Sequence, residues 1–238
     1  LLSMFIFTST VAGEGVEAGV GRGQGEKISN RWTLTDWLLT KRKVALMDQW
    51  LALNSSAPTF EFFLEGLSST LNSTRSDNDL SVQSESEKYS AGLYIKFFGL
   101  SVDKEKVGST SDSWNYQANL MLIGSSMQST NITFFYGLRQ LEHTEFLNFD
   151  QQYIGGSLTL YLLPFLGGIV DYRSYYKESN SENTYSMTGQ KVENSVFLDV
   201  FALRLKASYY IQKQTFTSSS SLIRTQDKGW LFGGSLFF

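Results

Sequence analysis

The 238-residue chain contains no cysteine, which excludes a disulfide framework, a thiolate metal site and a cysteine nucleophile together. Only two prolines occur, so few strands are interrupted from within. Histidine is represented once, by His143, and a lone imidazole without cysteine is a poor start for a metal centre; no metal or other cofactor is expected. No stretch reaches the roughly 18 consecutive apolar residues of a membrane-spanning helix. Neither sign of charge dominates: the net charge is −3, with no basic stripe to grip nucleic acid and no charge run long enough for an interaction tail. What the chain does have is rings. Aromatic residues make up 15% of it within an ordinary hydrophobic content of 42%, a bias suited to a sheet with aromatic borders.

The first 58 residues differ from the rest. Residues 1–12, "LLSMFIFTSTVA", place small residues Thr10 and Ala12 at the spacing of a signal-peptidase site, so they read as the remnant of an export signal, with an apolar tail or strand as the other reading. Residues 13–30 are rich in glycine and charge, show neither helical nor strand period, and read as a flexible linker. Over 31–54 a helix is expected: Thr33 is an N-cap with Asp36 three residues on, Trp32 and Trp37 stand where a hydrophobic staple packs, and Asn54 and Pro58 supply the stop. Its apolar residues do not keep to one stripe. Leu34, Leu38 and Ala45 lie on one side, Leu39, Leu46 and Trp50 on another, and Trp37, Val44 and Leu51 on a third, so the helix wants contacts on several flanks.

From Thr59 the period becomes two. Tyr89, Ala91, Leu93, Ile95 and Phe97 oppose Ser90, Gly92, Tyr94 and Lys96; Leu203, Leu205, Ala207, Tyr209 and Ile211 oppose Arg204, Lys206, Ser208, Tyr210 and Gln212. Such runs place about ten strands, near 58–71, 87–97, 100–109, 112–123, 129–141, 147–162, 166–178, 186–199, 203–215 and 222–238, with eight or twelve as the other even counts the pattern allows. Many reach about ten residues or more, which suits a tilted crossing of a hydrocarbon layer better than a soluble sandwich. Polar connections such as "NSTRSDNDLSVQSESE" and "KESNSENT" alternate with short apolar ones such as "LPFLG". The expectation is an all-β, antiparallel, up-and-down transmembrane barrel over 58–238, preceded by one helix.

The faces expected to point inward carry Glu61, Glu65, Lys96, Asp103, Glu105, Arg139, Asp171, Arg173, Glu193, Asp199, Arg204 and Lys206. Both signs occur, so a lumen sealed by ion pairs is the expected arrangement, and a narrow charged channel the alternative. A ten-stranded barrel is only slightly wider than an eight-stranded one filled by its own side chains. A helix about 10 Å across would not fit inside such a lumen. It would lie outside, in the membrane interface or between neighbouring barrels, using Leu34, Trp37, Leu38, Val44, Leu46, Met47, Trp50 and Leu51. His143, between Glu142 and Glu145 in "LEHTE", is where an outer-membrane hydrolase or lipid-modifying enzyme would keep its base, although no nucleophile is fixed beside it; no catalytic residue is expected.

The final stretch, "GWLFGGSLFF", resembles the C-terminal signal that bacterial outer-membrane proteins present to their barrel-insertion machinery, with Gly233, Leu236 and Phe238 on its glycine, hydrophobic and terminal-aromatic positions and Leu231 where that pattern prefers a polar residue. The blocks "LTDWLLTKRKVALMDQWLALNSSAPTFEFFLEG" and "STNITFFYGLR" resemble a family of outer-membrane barrels from predatory bacteria in which a short N-terminal helix precedes the barrel. That resemblance implies residence in the bacterial outer membrane, homo-oligomeric rings, membrane lipid as a partner that the ring encloses, and a structural rather than catalytic role.

Overall fold

The computed structural model describes residues 33, 34 and 59–238, apart from 77–80, 109, 110, 146, 181, 183, 219 and 220. The export-signal remnant, the linker and, beyond Thr33 and Leu34, the expected helix lie outside the described residues. Ten strands follow in order: β1 (Glu61–Arg75), β2 (Ser81–Ile95), β3 (Phe98–Val107), β4 (Ser111–Ile123), β5 (Asn131–His143), β6 (Leu147–Leu163), β7 (Leu166–Ser179), β8 (Ser186–Val200), β9 (Leu203–Thr217) and β10 (Leu222–Phe237). Each pairs antiparallel with its sequence neighbours, and β1 closes on β10, so the sheet has no free edge. The closing pair runs from Phe63 opposite Phe237 to Arg75 opposite Thr225, and Phe62 and Phe238 exchange backbone hydrogen bonds of 3.0 and 2.9 Å. Gly233 lies in this seam, where a Cβ would stand 2.0 Å from the Gly66 carbonyl oxygen, so β1 and β10 reach this spacing only around glycine.

Most strands are longer than a membrane crossing of about 9–11 residues requires, and their polarity inverts along their length. In the half nearest Phe62 and Phe238, outward positions are apolar: Leu64, Leu100, Phe134, Leu138, Val196, Leu205 and Phe232 are exposed. Inward positions at those levels mix polar groups, among them Ser101, Asp103, Asn119, Glu193 and Arg204, with the buried rings of Phe135, Phe197 and Phe237. In the other half charged and polar residues appear on the outside and an apolar group inside. Glu85, Glu87, Lys106, Glu142, Gln190 and Lys213 face out, while Leu71, Leu141, Phe149, Met187, Phe216 and Ile223 are buried inside. Trp114, Tyr116 and Trp230 lie outward near the crossover, with Lys104 5.1 Å over the Trp114 ring.

Two expectations fail here. The polar stretch 72–87, read as a long loop, is mostly strand: β1 continues to Arg75 and β2 begins at Ser81. The backbone ladder satisfies its own donors and acceptors whatever the side chains, so a polar sequence extends as sheet once its neighbours are in place. The second failure concerns connection length. On the Phe238 end, 96–97, 164–165 and 201–202 are tight turns, yet 124–130, "GSSMQST", is the longest connection there and folds inward, with Ser125, Gln128 and Ser129 buried.

Candidate functional site

The barrel interior is where polar chemistry concentrates, and its charges bridge opposite walls. Lys88 of β2 reaches Glu193 of β8 at 2.8 Å and Glu65 of β1 at 3.8 Å; Lys206 of β9 reaches Glu193 at 2.9 Å and Glu65 at 3.3 Å. The four groups form a closed ring of alternating sign, and Ser235 donates to Glu65 at 2.9 Å. Beside it Arg173 of β7 meets Asp103 of β3 at 2.9 Å and Asp171 at 3.2 Å, and Lys191 meets Glu105 at 2.8 Å. Arg204 pairs with Asp199 at 2.8 Å, receives help from the Tyr161 hydroxyl bound to Asp199 at 2.5 Å, and lies 4.0 Å over the Phe197 ring. Arg139 lies 4.8 Å over the Tyr175 ring. Charges this deeply buried are tolerated because each faces groups of opposite sign or π-density.

Of the inward charges expected from sequence, Glu65, Asp103, Glu105, Arg139, Asp171, Arg173, Glu193, Asp199, Arg204 and Lys206 stand in this interior. Glu61 lies at its mouth. Lys96 does not face it: that residue occupies the β2–β3 turn, exposed, with φ of +54°, because the strand ends at Ile95 before the alternation reaches it. Lys88 and Lys191 join the interior without having been expected there, although each is an even number of residues from a recognised inward position, Ser90 and Glu193. Strand parity is the signal that finds them.

Two plugs flank the charges. At the Phe238 end, the 124–130 connection is latched by Glu61, which accepts from the Ser126 hydroxyl at 2.5 Å and the Met127 amide at 2.8 Å, while the Gln128 side-chain amide donates to the Phe201 carbonyl at 3.1 Å. A polar cavity of about 140 Å³ remains beneath it, lined by Ser90, Asn131, Thr133 and Met127. At the far end, Leu141, Phe149, Met187, Phe216 and Ile223 pack as an apolar cluster across the lumen. Neither plug is legible in the sequence: serine-rich connections are ordinarily solvated, and the apolar cluster sits on the face assigned to polar residues.

His143 ends β5 above that cluster, edge-on to Phe216 with ring centroids 5.7 Å apart. Its Nδ1 accepts from the Glu145 amide at 3.1 Å, and burial lowers its pKa below the usual imidazole value. The Glu145 carboxylate forms a bidentate ion pair with Arg75 instead, one arm at 2.9 Å. Among the described residues no group of three His, Asp or Glu side chains is placed to hold a metal.

The fold and its interior define a closed ten-stranded antiparallel barrel with a filled lumen. No protein-family model and no curated protein matches the chain. Solved structures that the chain matches include Neisserial surface protein A, at 15% identity over 74% of this chain and 96% of that one with a TM-score of 0.33. The outer membrane protein OprG from Pseudomonas aeruginosa gives 12% identity over 78% and 99% of the two chains with a TM-score of 0.24. OccK11 (OpdR), also from Pseudomonas aeruginosa, gives 12% over 76% and 67% with a TM-score of 0.27. Likeness at this distance carries no function across, so a role has to be sought in the barrel's own geometry.

Proposed function

We propose that this chain is a structural protein of the bacterial outer membrane that neither conducts nor catalyses, and that self-associates into a homo-oligomeric ring enclosing lipid. The filled lumen carries the reading, because a channel needs a continuous wet path and here ion pairs cross the interior between an inward-folded connection and an apolar cluster. Membrane residence is supported by the apolar outward belt, which in water would be a large exposed patch with no partner, and which in lipid needs none. Gly233, Leu236 and Phe238 serve recognition by the barrel-insertion machinery; all three lie in the seam that closes the barrel on β1. Self-association rests on the expected helix over 31–54, whose apolar residues wrap around more than one flank, and on the family resemblance of that segment.

Planar-bilayer recording and native mass in mild detergent test the proposal together. A silent bilayer and a multimer that carries co-purified lipid, and that falls to monomer when 31–54 is removed, are expected. Steady single-channel currents would overturn the structural reading, and a monomer in both forms would overturn the ring.

A further inference from the structure

Beyond the lumen, the outer wall carries a concave apolar groove of about 960 Å³ across β1–β5. Its floor is made of small outward residues, Ala91, Val102 and Ala118, and its walls rise at Phe62, Tyr136 and Phe238. The residues run in rows across the strands: Leu64 is opposite Ala91, Ala91 opposite Val102 and Val102 opposite Tyr116, while Leu100 is opposite Ala118 and Ala118 opposite Tyr136. Small residues in a membrane-facing wall let another backbone approach closely, which is how helices pack in lipid where hydrophobic transfer supplies no drive.

We propose that this groove is the dock for residues 31–54 of the same chain, lying as a helix against the outside of its own barrel. This inference rests on the helix invoked in the proposed function, and it assigns that helix a place. Three observations select the occupant. The first is connection: β1 starts at Glu61, and its first outward residues, Phe62 and Leu64, already line the groove. Residues 55–60 span at most about 20 Å when extended, so the end of the segment stays within that reach of Glu61 and the near wall of the groove. The second is pattern. As a helix the segment has a stripe free of charge, Trp37, Thr40, Val44, Met47 and Leu51, with Lys41, Arg42, Lys43 and Asp48 off it, and a second such stripe through Leu39, Leu46 and Trp50. The third is length: at about 1.5 Å per residue the stripe runs roughly 21 Å from Trp37 to Leu51, and five strands at about 4.8 Å spacing measure roughly 19 Å along the curve of the wall. Docked this way, the helix covers the groove with one flank and leaves Leu39, Leu46 and Trp50 on another for a neighbouring barrel.

The absence of native cysteine makes disulfide trapping clean. In the full-length protein in its membrane, the double variant Val44→Cys, Ala118→Cys and a second pair, Met47→Cys with Ala91→Cys, are oxidised alongside mixtures of the corresponding single-cysteine chains. An intrachain bond in at least one double variant, seen as a reducible shift of the monomer band, with no dimer from the mixed chains, is expected. Dimers from the mixed chains without an intrachain bond would place a neighbour's segment in the groove and overturn the inference, as would no bond in any sample. As a second readout, Ala118→Trp fills the floor and is expected to remove protection from trypsin at Lys41, Arg42 and Lys43 without altering barrel heat-modifiability; retained protection would overturn the docking. Native mass on the same samples separates the two claims, because a monomer with an intrachain bond keeps the dock and removes the ring.

Discussion

The Glu193 carboxylate of β8 lies 2.8 Å from the Lys88 ammonium of β2, four strands away around the barrel, and its other oxygen lies 2.9 Å from Lys206 of β9. One side chain thus ties three strands across the lumen. The ring it completes with Glu65 is electrically balanced, two carboxylates to two ammonium groups, and the balance makes burial tolerable. Glu193→Gln leaves two buried cations around one carboxylate, and is expected to lower unfolding free energy by about 3–5 kcal/mol. The double change Glu193→Gln, Lys88→Met restores the balance and is expected to cost less than the single one. Urea unfolding of the barrel in lipid vesicles measures both; a double variant weaker than Glu193→Gln would contradict the charge-balance argument.

The inversion of polarity along the strands gives a depth-dependent expectation. Val196 and Gln190 both face outward on β8, six residues apart, the first in the apolar belt and the second beyond it. An arginine near the middle of a lipid-facing belt costs about 2–4 kcal/mol and little near its border. Val196→Arg is therefore expected to destabilise the vesicle-embedded barrel by that amount, and Gln190→Arg to leave it nearly unchanged. Equal costs at the two positions would mean that the belt does not mark the membrane.

Strand parity carried the fold: alternation of Tyr116, Ala118 and Leu120 against Asn115, Gln117 and Asn119 fixes which side of β4 faces out, and the number of such runs pointed to about ten strands, the count with which the sheet closes. Parity does not say where along a strand the outward face changes from apolar to polar. Leu141 and Phe149 are inward by parity yet apolar, and an expectation of polar interiors has no place for them. The ion-pair partners were equally out of reach, since Lys88 and Glu193 meet only once the sheet closes with β2 and β8 on facing walls. The 124–130 plug is set by Glu61, sixty-five residues from Ser126, a contact that no local pattern encodes.

His143 gives the apolar plug a pH dependence. Burial, together with Arg75 and Arg139, holds its pKa below the ordinary imidazole value, with Glu145 opposing. The unfolded chain therefore binds the proton more readily, so the histidine's contribution is intact above about pH 6.5 and is lost as pH falls through the depressed value. Hydrogen-exchange protection at the ends of β5 and β9, referred to the intrinsic amide rate at each pH, is expected to be lower at pH 5 than at pH 7.5, and His143→Gln to flatten the difference. An unchanged pH response in His143→Gln would assign it to another group.

The Glu61 latch separates access to the lumen from conduction through it. Glu61→Ala removes the acceptor for the Ser126 hydroxyl and the Met127 amide, so the 124–130 connection loses its hold on β1. Ser90, buried in the cavity below the connection, reports the change when replaced by cysteine in this cysteine-free chain. A water-soluble maleimide is expected to leave Ser90→Cys unlabelled in the parent barrel and to label it once Glu61→Ala is added. Conductance is expected to stay silent in both, because the charge ring and the cluster around Phe149 and Phe216 still close the path beyond. Labelling in the parent would show that the connection does not shield the cavity, and currents in the Glu61→Ala barrel would make the connection the only seal and turn the protein into a gated pore.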